Sequence, residues 1–210
     1  MNVLVVGAFG GMGKRYCAIL KHLGHTPLLV DLNTRLPTEE FDHAIIATPT
    51  DDHLRSINEV LEWFPRTKHI LCEKPIAKSS PVLLGAFFDS LHSDGVNLYC
   101  VNQYQYLLDM DYALMTKGES WYSYYNSGKD GLHWDCFQIY ALAKAEVVVD
   151  NDSPSWGCKI NGTLIRPGDM DDAYIEMIRD FVGEKKNMWG KDIVLKTTEK
   201  ILEAMKCARS

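Results

Sequence analysis

The chain has 210 residues, of which 46% are hydrophobic and 24% are charged, proportions that are typical of a globular protein. Its formal net charge of −6 offers no basic surface, which argues against nucleic acid as a partner. No run of about 18 apolar residues occurs, so we expect no membrane-spanning helix.

The six cysteines form no CxxC pair, and the first residues lack the basic segment and the cleavage site of a secretory leader. We therefore expect reduced, buried thiols and a cytoplasmic protein. A structural zinc site, or any other metal site, is not expected.

The first predicted element is a short apolar strand, residues 3–6, followed by a glycine-rich turn and a helix. The glycines form a G-x-x-G-x-x-G loop, which lets the backbone turn tightly and approach a pyrophosphate at the N-terminus of the helix. A purely structural turn is the alternative. The residues predicted to bind a nucleotide here are Gly7, Phe9, Gly10, Gly11, Met12 and Gly13.

An acidic residue, Asp31, ends the second predicted strand, residues 28–30, and stands 24 positions after Gly7. A carboxylate at this point can accept hydrogen bonds from ribose hydroxyls and repel a 2′-phosphate, which favours NAD over NADP. Arg35 lies close enough in sequence to leave NADP possible. The alternative is that Asp31 is only a turn residue.

Strands and helices continue to alternate up to about residue 101, which predicts a doubly wound parallel sheet with right-handed crossovers. The further strands are predicted at residues 43–48, 69–72 and 96–101, and the further helices at about 54–64 and 81–91. Only 11 residues separate Asp31 from His43, too few for a helix, a strand and another helix. We therefore expect five strands, with one edge strand missing.

From about residue 105 this alternation is lost. The sequence predicts strands at residues 120–126, 146–150 and 159–165, a helix at 133–144 and two amphipathic helices at the end. Asn161-Gly162 is a strong hairpin signal within the last strand segment. The predicted fold class is α/β: a Rossmann-like doubly wound sheet in residues 1–104, followed by a small α+β substrate or oligomerisation domain in residues 105–210.

The most informative stretch, residues 44–77, places two polar motifs directly after apolar strands. One strand ends in Ala47-Thr48-Pro49, the next ends in Glu73-Lys74-Pro75, and the helix between them carries His53. Ligands of open α/β sheets bind outside the carboxyl ends of the strands. The residues predicted to line the cofactor cleft from this stretch are Thr48, Pro49, His53, Glu73 and Lys74. A strand end without chemistry and a solvated surface lysine are the alternatives.

Taken together, the segments GGMGKRY, ATPTDDH and CEKPIA resemble the Gfo/Idh/MocA family of NAD(P)-dependent oxidoreductases. The resemblance implies hydride transfer between nicotinamide and a sugar, cyclitol or sugar nucleotide, with Lys74 beside the nicotinamide and the substrate. It also implies a catalytic histidine in a G-x-H segment, which His133 matches. Histidine suits proton transfer because its pKa lies near neutrality.

One position departs from the family pattern. The family often has an aspartate four residues before the histidine, where this chain has Lys129, with Asp130 and Asp135 nearby. This leaves open a non-catalytic nucleotide-binding sensor or partner-binding relative. The glycine spacing leaves open a third interpretation, an amino-acid or imine reductase resembling aspartate dehydrogenase or dihydrodipicolinate reductase.

Family members are considerably longer, so the chain resembles a shortened member. The expected partner is a small-molecule substrate, and the sequence leaves open a second copy of the chain, in a homodimer.

Overall fold

The structure of the protein is a computed structural model. It describes residues 1–32, 34–107, 120–123, 133–134, 136–142, 147–150, 157–160, 163–165 and 170–207. By their contacts these residues divide into two units, one made of 1–101 with 177–191, the other of the described parts of 102–176 with 192–207. The domain boundary between residues 104 and 105 stays a prediction. None of the helices in the described ranges is long and apolar enough to cross a membrane.

The first unit is built on a parallel five-stranded sheet in the order β2-β1-β3-β4-β5. Its strands are β1 (Asn2–Val6), β2 (Thr26–Val30), β3 (His43–Ile46), β4 (His69–Cys72) and β5 (Asn97–Cys100). The connecting helices are α1 (Gly11–His22), α2 (His53–Trp63) and α3 (Pro81–Ser93), and a short 3-10 turn, Thr50–Asp52, precedes α2. The predicted doubly wound α/β sheet of five strands is confirmed.

The central strands of this sheet are apolar on both faces. Ala44, Ile45 and Ile46 of β3 have no exposed surface, as expected for a parallel strand that is covered by helices on both sides. The link from Asp31 to Asp42 contains no helix or strand in its described residues. β2 therefore ends the sheet, and the predicted loss of one edge strand is confirmed.

The register brings the carboxyl ends of the five strands into one row. The aligned residues are Val30, Val6, Ile46, Cys72 and Cys100. The chain leaves β1 toward β2 on one side and returns to β3 on the other, so the strand order reverses at β1. Ligands of such sheets bind in the crevice at this switch point.

A C-terminal segment completes the first unit. Helix α6 (Met170–Val182) buries Met177, Ile178 and Phe181 completely. Farther along, the N–H of Cys100 donates a hydrogen bond of 2.8 Å to the carbonyl oxygen of Trp189. Residues 177–191 therefore close the unit beside β5.

The second unit contains a mixed sheet in the order β7-β6-β8-β9. Its elements are α4 (Gln103–Leu107), β6 (Ser120–Ser123), α5 (Phe137–Leu142), β7 (Val147–Asp150), β8 (Gly157–Ile160), β9 (Thr163–Ile165) and most of α7 (Lys191–Cys207). β6 pairs in parallel with β7, whereas β8 is antiparallel to β6 and β9. The predicted strands on both sides of Asn161-Gly162 are thus confirmed, and the two turn residues themselves lie outside the described residues.

Two histidines start adjacent strands at the other end of the first sheet. His43 and His69 are partners in register, and their ring centroids lie 4.7 Å apart. Phe181 contacts the His43 ring edge-on at 5.2 Å, and Asp42 Oδ1 lies 2.6 Å from His43 Nδ1. Burial lowers the pKa of both histidines, that of His69 to about 4, and the positive charge of Lys185 acts in the same direction. Both rings are therefore neutral at neutral pH.

This histidine pair makes folding stability depend on pH. In the unfolded chain a histidine titrates near its ordinary pKa of about 6.5, whereas folded His69 titrates at about 4. Between these values the unfolded chain binds more protons than the folded protein. The stabilisation of the folded state by neutral His69 is therefore complete above about pH 6.5 and is lost as the pH falls to about 4. His69→Phe keeps an aromatic ring but cannot be protonated. With solvent screening taken into account, we expect this variant to lose about 1–2 kcal/mol less free energy of unfolding than the parent as the pH falls. Urea unfolding over this pH range measures it, and an unchanged pH dependence would contradict the assignment.

Candidate cofactor cleft and catalytic residues

The glycine loop allows α1 to start directly against the end of β1. A Cβ atom on Gly13 would lie 2.1 Å from the carbonyl oxygen of Gly7, which leaves no room for a side chain. Gly7 has a positive φ of 78°, and a Cβ there would lie 2.8 Å from the carbonyl carbon of Ala47. At Gly11, by contrast, a Cβ would meet nothing within 4 Å. The first and third loop glycines are therefore required by packing, and the loop between them leaves space in front of α1.

The N-terminus of α1 has the properties of an anion site. Gly10 precedes the helix without a capping side chain, and the first turn contains no acidic residue. The first N–H groups of a helix have no partner within it, and the helix dipole adds positive potential there. Gly10 and Gly11 are exposed, so these groups can reach a phosphate.

Asp31 holds the glycine loop from the end of β2. Its Oδ2 accepts a hydrogen bond of 2.8 Å from the N–H of Phe9, and its Oδ1 accepts one of 2.8 Å from the N–H of Leu32. The carboxylate is half-buried and lines the cleft described next. Asp31 can therefore fix the loop and still present oxygen to a ligand.

A cleft of about 600 Å³ opens along the carboxyl ends of β1, β2 and β3. Five of the predicted cofactor residues line it, namely Gly7, Gly10, Asp31, Thr48 and Pro49. It continues along α2 as far as Trp63, beside the link between β2 and β3, whose described residues contain no helix. The structure thus brings together the glycine loop, the acidic residue and the end of β3 around one cavity.

Helix α2 and the turn before it contribute charged residues to this cleft that the sequence did not indicate. Arg55 donates a hydrogen bond of 2.8 Å to Asp52 Oδ1, and its Nε lies 4.0 Å from Glu59 Oε1. All three residues line the cleft. Their spacing of three and four positions on a predicted helix is the signal that could have identified them. With Asp31 they make the lining more acidic than basic.

The remaining predicted cofactor residues lie near the cleft or behind it. Phe9 is 53% exposed, Met12 is half-buried and Gly13 is buried. His53 is 1% exposed, and its ring nitrogens face the carbonyl oxygens of Pro75, at 2.9 Å, and Thr48, at 2.8 Å. The contacts described for His53 are thus to the backbone, and its predicted contact with a cofactor stays a prediction.

The Glu73-Lys74-Pro75 segment follows β4 and includes a cis peptide bond between Lys74 and Pro75. Glu73 and Lys74 are half-buried. The hydroxyl of Tyr16 donates a hydrogen bond to Glu73 Oε1, and the N–H of Lys74 donates one of 3.1 Å to Glu73 Oε2. Tyr16 is fully buried.

In the second unit, the other predicted catalytic residue, His133, is half-buried. Its Nδ1 lies 2.9 Å from the hydroxyl of Tyr140, a residue of α5. Burial raises the pKa of Tyr140, so its hydroxyl keeps its proton and can donate to Nδ1. A neutral ring that accepts at Nδ1 carries its proton on Nε2. Lys129, Asp130 and Asp135 lie outside the described residues.

The family model for an oxidoreductase family with an NAD-binding Rossmann fold, Gfo/Idh/MocA, matches residues 23–83. These residues are therefore similar to this family. The match includes Asp31 and two of the three segments that carry the predicted resemblance, ATPTDDH and CEKPIA, and it confirms that resemblance. The glycine loop in front of the matched residues fits a dinucleotide, since its exposed backbone, uncapped helix and closely packed glycines form a cradle for phosphate.

Solved structures with the same fold cover nearly the whole chain. The WlbA dehydrogenase from Thermus thermophilus, in complex with NAD and UDP-GlcNAcA, aligns over 96% of this chain and 93% of its own, at 14% identity and a TM-score of 0.67. A dehydrogenase from Chromobacterium violaceum aligns over 99% and 94%, at 10% identity and a TM-score of 0.61. A super-repressor mutant of Gal80p from Saccharomyces cerevisiae aligns over 98% and 95%, at 12% identity and a TM-score of 0.59. No curated protein matches the sequence.

At these identities the likeness to solved structures shows the fold alone. Proteins that share a fold differ in function, so the substrate has to be argued from this chain's own residues.

The glycine geometry gives a matched pair of substitutions. Gly13→Ala places its Cβ in contact with the backbone of Gly7, and we expect a loss of stability of about 1–3 kcal/mol together with weaker cofactor binding. Gly11→Ala has free space around its Cβ and should leave the stability equal or slightly higher. Thermal unfolding of the two variants measures the difference. Equal losses of stability in both variants would show that the close approach of α1 to β1 is not the reason why position 13 requires glycine.

Proposed function

We propose that the protein is an NAD-dependent oxidoreductase that transfers a hydride between nicotinamide and a sugar nucleotide or a related polyhydroxylated substrate. The observation that carries this proposal is the cleft that joins the glycine loop, Asp31 and the Thr48-Pro49 motif within one unit. Nicotinamide supplies or accepts the hydride when it is bound. The chain supplies binding, orientation and proton transfer.

The cofactor would be held by three groups. The N–H groups at the start of α1, behind Gly10 and Gly11, would bind the pyrophosphate. Asp31 would accept hydrogen bonds from the adenosine ribose, and Thr48-Pro49 would line the cleft next to it. This arrangement leaves the end of β4, with Lys74, for the nicotinamide side, as the family resemblance implies.

Charge in the cleft supports NAD rather than NADP. Asp31, Asp52 and Glu59 line it, and the cation Arg55 is already paired with two of these carboxylates. Arg35 is exposed and is not part of the lining. A 2′-phosphate would therefore meet excess negative charge beside Asp31.

Lys74 in the first unit and His133 in the second are the two candidate groups for proton transfer. Oxidation of an alcohol needs a group that takes the hydroxyl proton, and reduction of a carbonyl needs a group that supplies it. Lys74, on the nicotinamide side, could polarise the substrate oxygen or exchange a proton with it. His133, held at Nδ1 by Tyr140, would present Nε2 for the same purpose.

A sugar nucleotide is the first substrate class to test, because the WlbA dehydrogenase with the same fold binds NAD and UDP-GlcNAcA. We propose a cytoplasmic enzyme that acts on such a small molecule and that could form a homodimer. Purified protein would first be titrated calorimetrically with NADH. Turnover would then be followed by NADH absorbance with UDP-GlcNAcA, other sugar nucleotides, free sugars and cyclitols. No binding of NADH at millimolar concentration would refute the proposal.

A second candidate is a non-catalytic nucleotide-binding regulator. Lys129 in place of an aspartate favours it, and so does the likeness in fold to a super-repressor mutant of Gal80p. Binding of NADH without turnover of any compound in the panel would support this candidate over the enzyme.

Cofactor preference tests the role of Asp31. The parent should bind NADH more tightly than NADPH, and Asp31→Asn should shift the ratio toward NADPH by about tenfold, because one negative charge is removed while an oxygen acceptor for Phe9 remains. Asp94→Asn, an exposed carboxylate behind α3, is the control and should leave the ratio unchanged. A ratio that is unaffected in Asp31→Asn would exclude contact between Asp31 and the adenosine ribose.

Lys74 is tested by separating binding from turnover. Lys74→Ala should keep NADH affinity nearly intact and lower kcat by about a hundredfold or more with the first substrate found, the usual effect of losing a proton-transfer group. Lys78→Ala removes an exposed lysine four residues later and serves as the control. Turnover by Lys74→Ala at the parent's rate would rule out the catalytic assignment.

A further inference from the structure

The backbone of Lys74 is held on its N-terminal side by a side chain from α1. The carboxylate of Glu73 uses both oxygens: Oε1 accepts from the hydroxyl of Tyr16, and Oε2 accepts from the N–H of Lys74 at 3.1 Å. Tyr16 has no exposed surface, so its phenol is fixed by the packing of α1 on the sheet. The residue before Lys74 is therefore tied to the helix that starts at the glycine loop.

A side chain from α2 holds the other side of Lys74. His53 Nδ1 lies 2.9 Å from the carbonyl oxygen of Pro75, and Nε2 lies 2.8 Å from the carbonyl oxygen of Thr48. Carbonyl oxygens only accept, so the ring donates to one of them when it is neutral and to both when it is protonated. The hydroxyls of Thr48 and Ser56 lie 3.2 Å apart and add a second link between α2 and the end of β3. His53 thus bridges the two motifs that follow β3 and β4.

We propose that Tyr16 and His53 are positioning residues that fix Lys74 on the nicotinamide side of the cleft. The inference rests on the proposed function, because it assigns Lys74 to a bound nicotinamide. Tyr16 acts through Glu73 and His53 through Pro75, so the segment is restrained immediately before and after the lysine. Strand-end loops are otherwise among the more mobile parts of a fold, and productive geometry needs the reacting group held within a fraction of an ångström.

The tether from Tyr16 also links the two halves of the cofactor site. The same helix presents its N-terminus to the pyrophosphate and its Tyr16 hydroxyl to the segment of Lys74. Loss of the hydroxyl should therefore disturb the nicotinamide side while the contacts of the adenosine side remain.

The test compares two ligands in variants that keep the fold. NADH carries nicotinamide, whereas ADP-ribose contains the same adenosine and pyrophosphate groups without it. Tyr16→Phe removes only the hydroxyl, and His53→Gln keeps one N–H donor. Tyr99→Phe makes the same change as Tyr16→Phe at a ring that contacts His69 and Phe181, and it is the control. Calorimetry gives both affinities, and the fluorescence emission of bound NADH reports the surroundings of the nicotinamide.

We expect Tyr16→Phe and His53→Gln to bind ADP-ribose like the parent and to bind NADH about fivefold more weakly, the effect of one lost hydrogen bond. The emission of bound NADH should move toward that of free NADH, and Tyr99→Phe should match the parent. If the parent binds NADH and a variant keeps the parent's affinity ratio and emission, the positioning role of that residue is overturned while the proposed function stands. A parallel loss of affinity for both ligands would assign the residue to general folding and overturn the proposal as well. If the parent itself binds no NADH, the proposed function fails first.

Discussion

The contact between the backbones of Gly7 and Gly13 is the constraint on which the rest of the site depends. With a Cβ on Gly13 only 2.1 Å from the Gly7 carbonyl oxygen, α1 can lie where it does only because residue 13 has no side chain. This position points the N-terminus of α1 into the cleft. It also lets Tyr16, farther along the helix, reach Glu73.

The parallel register then turns a local motif into a site. Residues that are far apart in the chain follow strands whose carboxyl ends lie in one row. The glycine loop, Asp31 and the Thr48-Pro49 and Glu73-Lys74 motifs therefore lie together at the carboxyl end of the sheet. Hydrogen bonds from buried side chains of α1 and α2 add precision to the loops at this edge. The helices therefore support the site and do not only cover the sheet.

Much of this architecture is predictable from the sequence because it depends on local patterns. Apolar runs alternating with helical periodicity predicted the parallel sheet, and the short link after Asp31 predicted its missing edge strand. The role of Tyr16 could not be predicted, since its partner is 57 positions away and the residue fits the apolar stripe of α1 equally well. The same holds for His53, because only the tertiary structure shows that both ring nitrogens face backbone carbonyls. Periodicity likewise gave the apolar face of α6 but not its place beside the first sheet.

The acidic lining along α2 also affects how an anionic dinucleotide would approach. Asp31, Asp52 and Glu59 outnumber Arg55 at the mouth of the cleft, and the whole chain carries a net charge of −6. Long-range electrostatics therefore oppose the encounter, and attraction begins only within the short reach of the N–H groups of α1. Dissolved salt shortens the range of the repulsion to about 8 Å at physiological ionic strength, while close contacts are screened much less. The association rate of a dinucleotide thus rises with ionic strength, the reverse of the salt dependence seen where a basic cleft attracts its ligand.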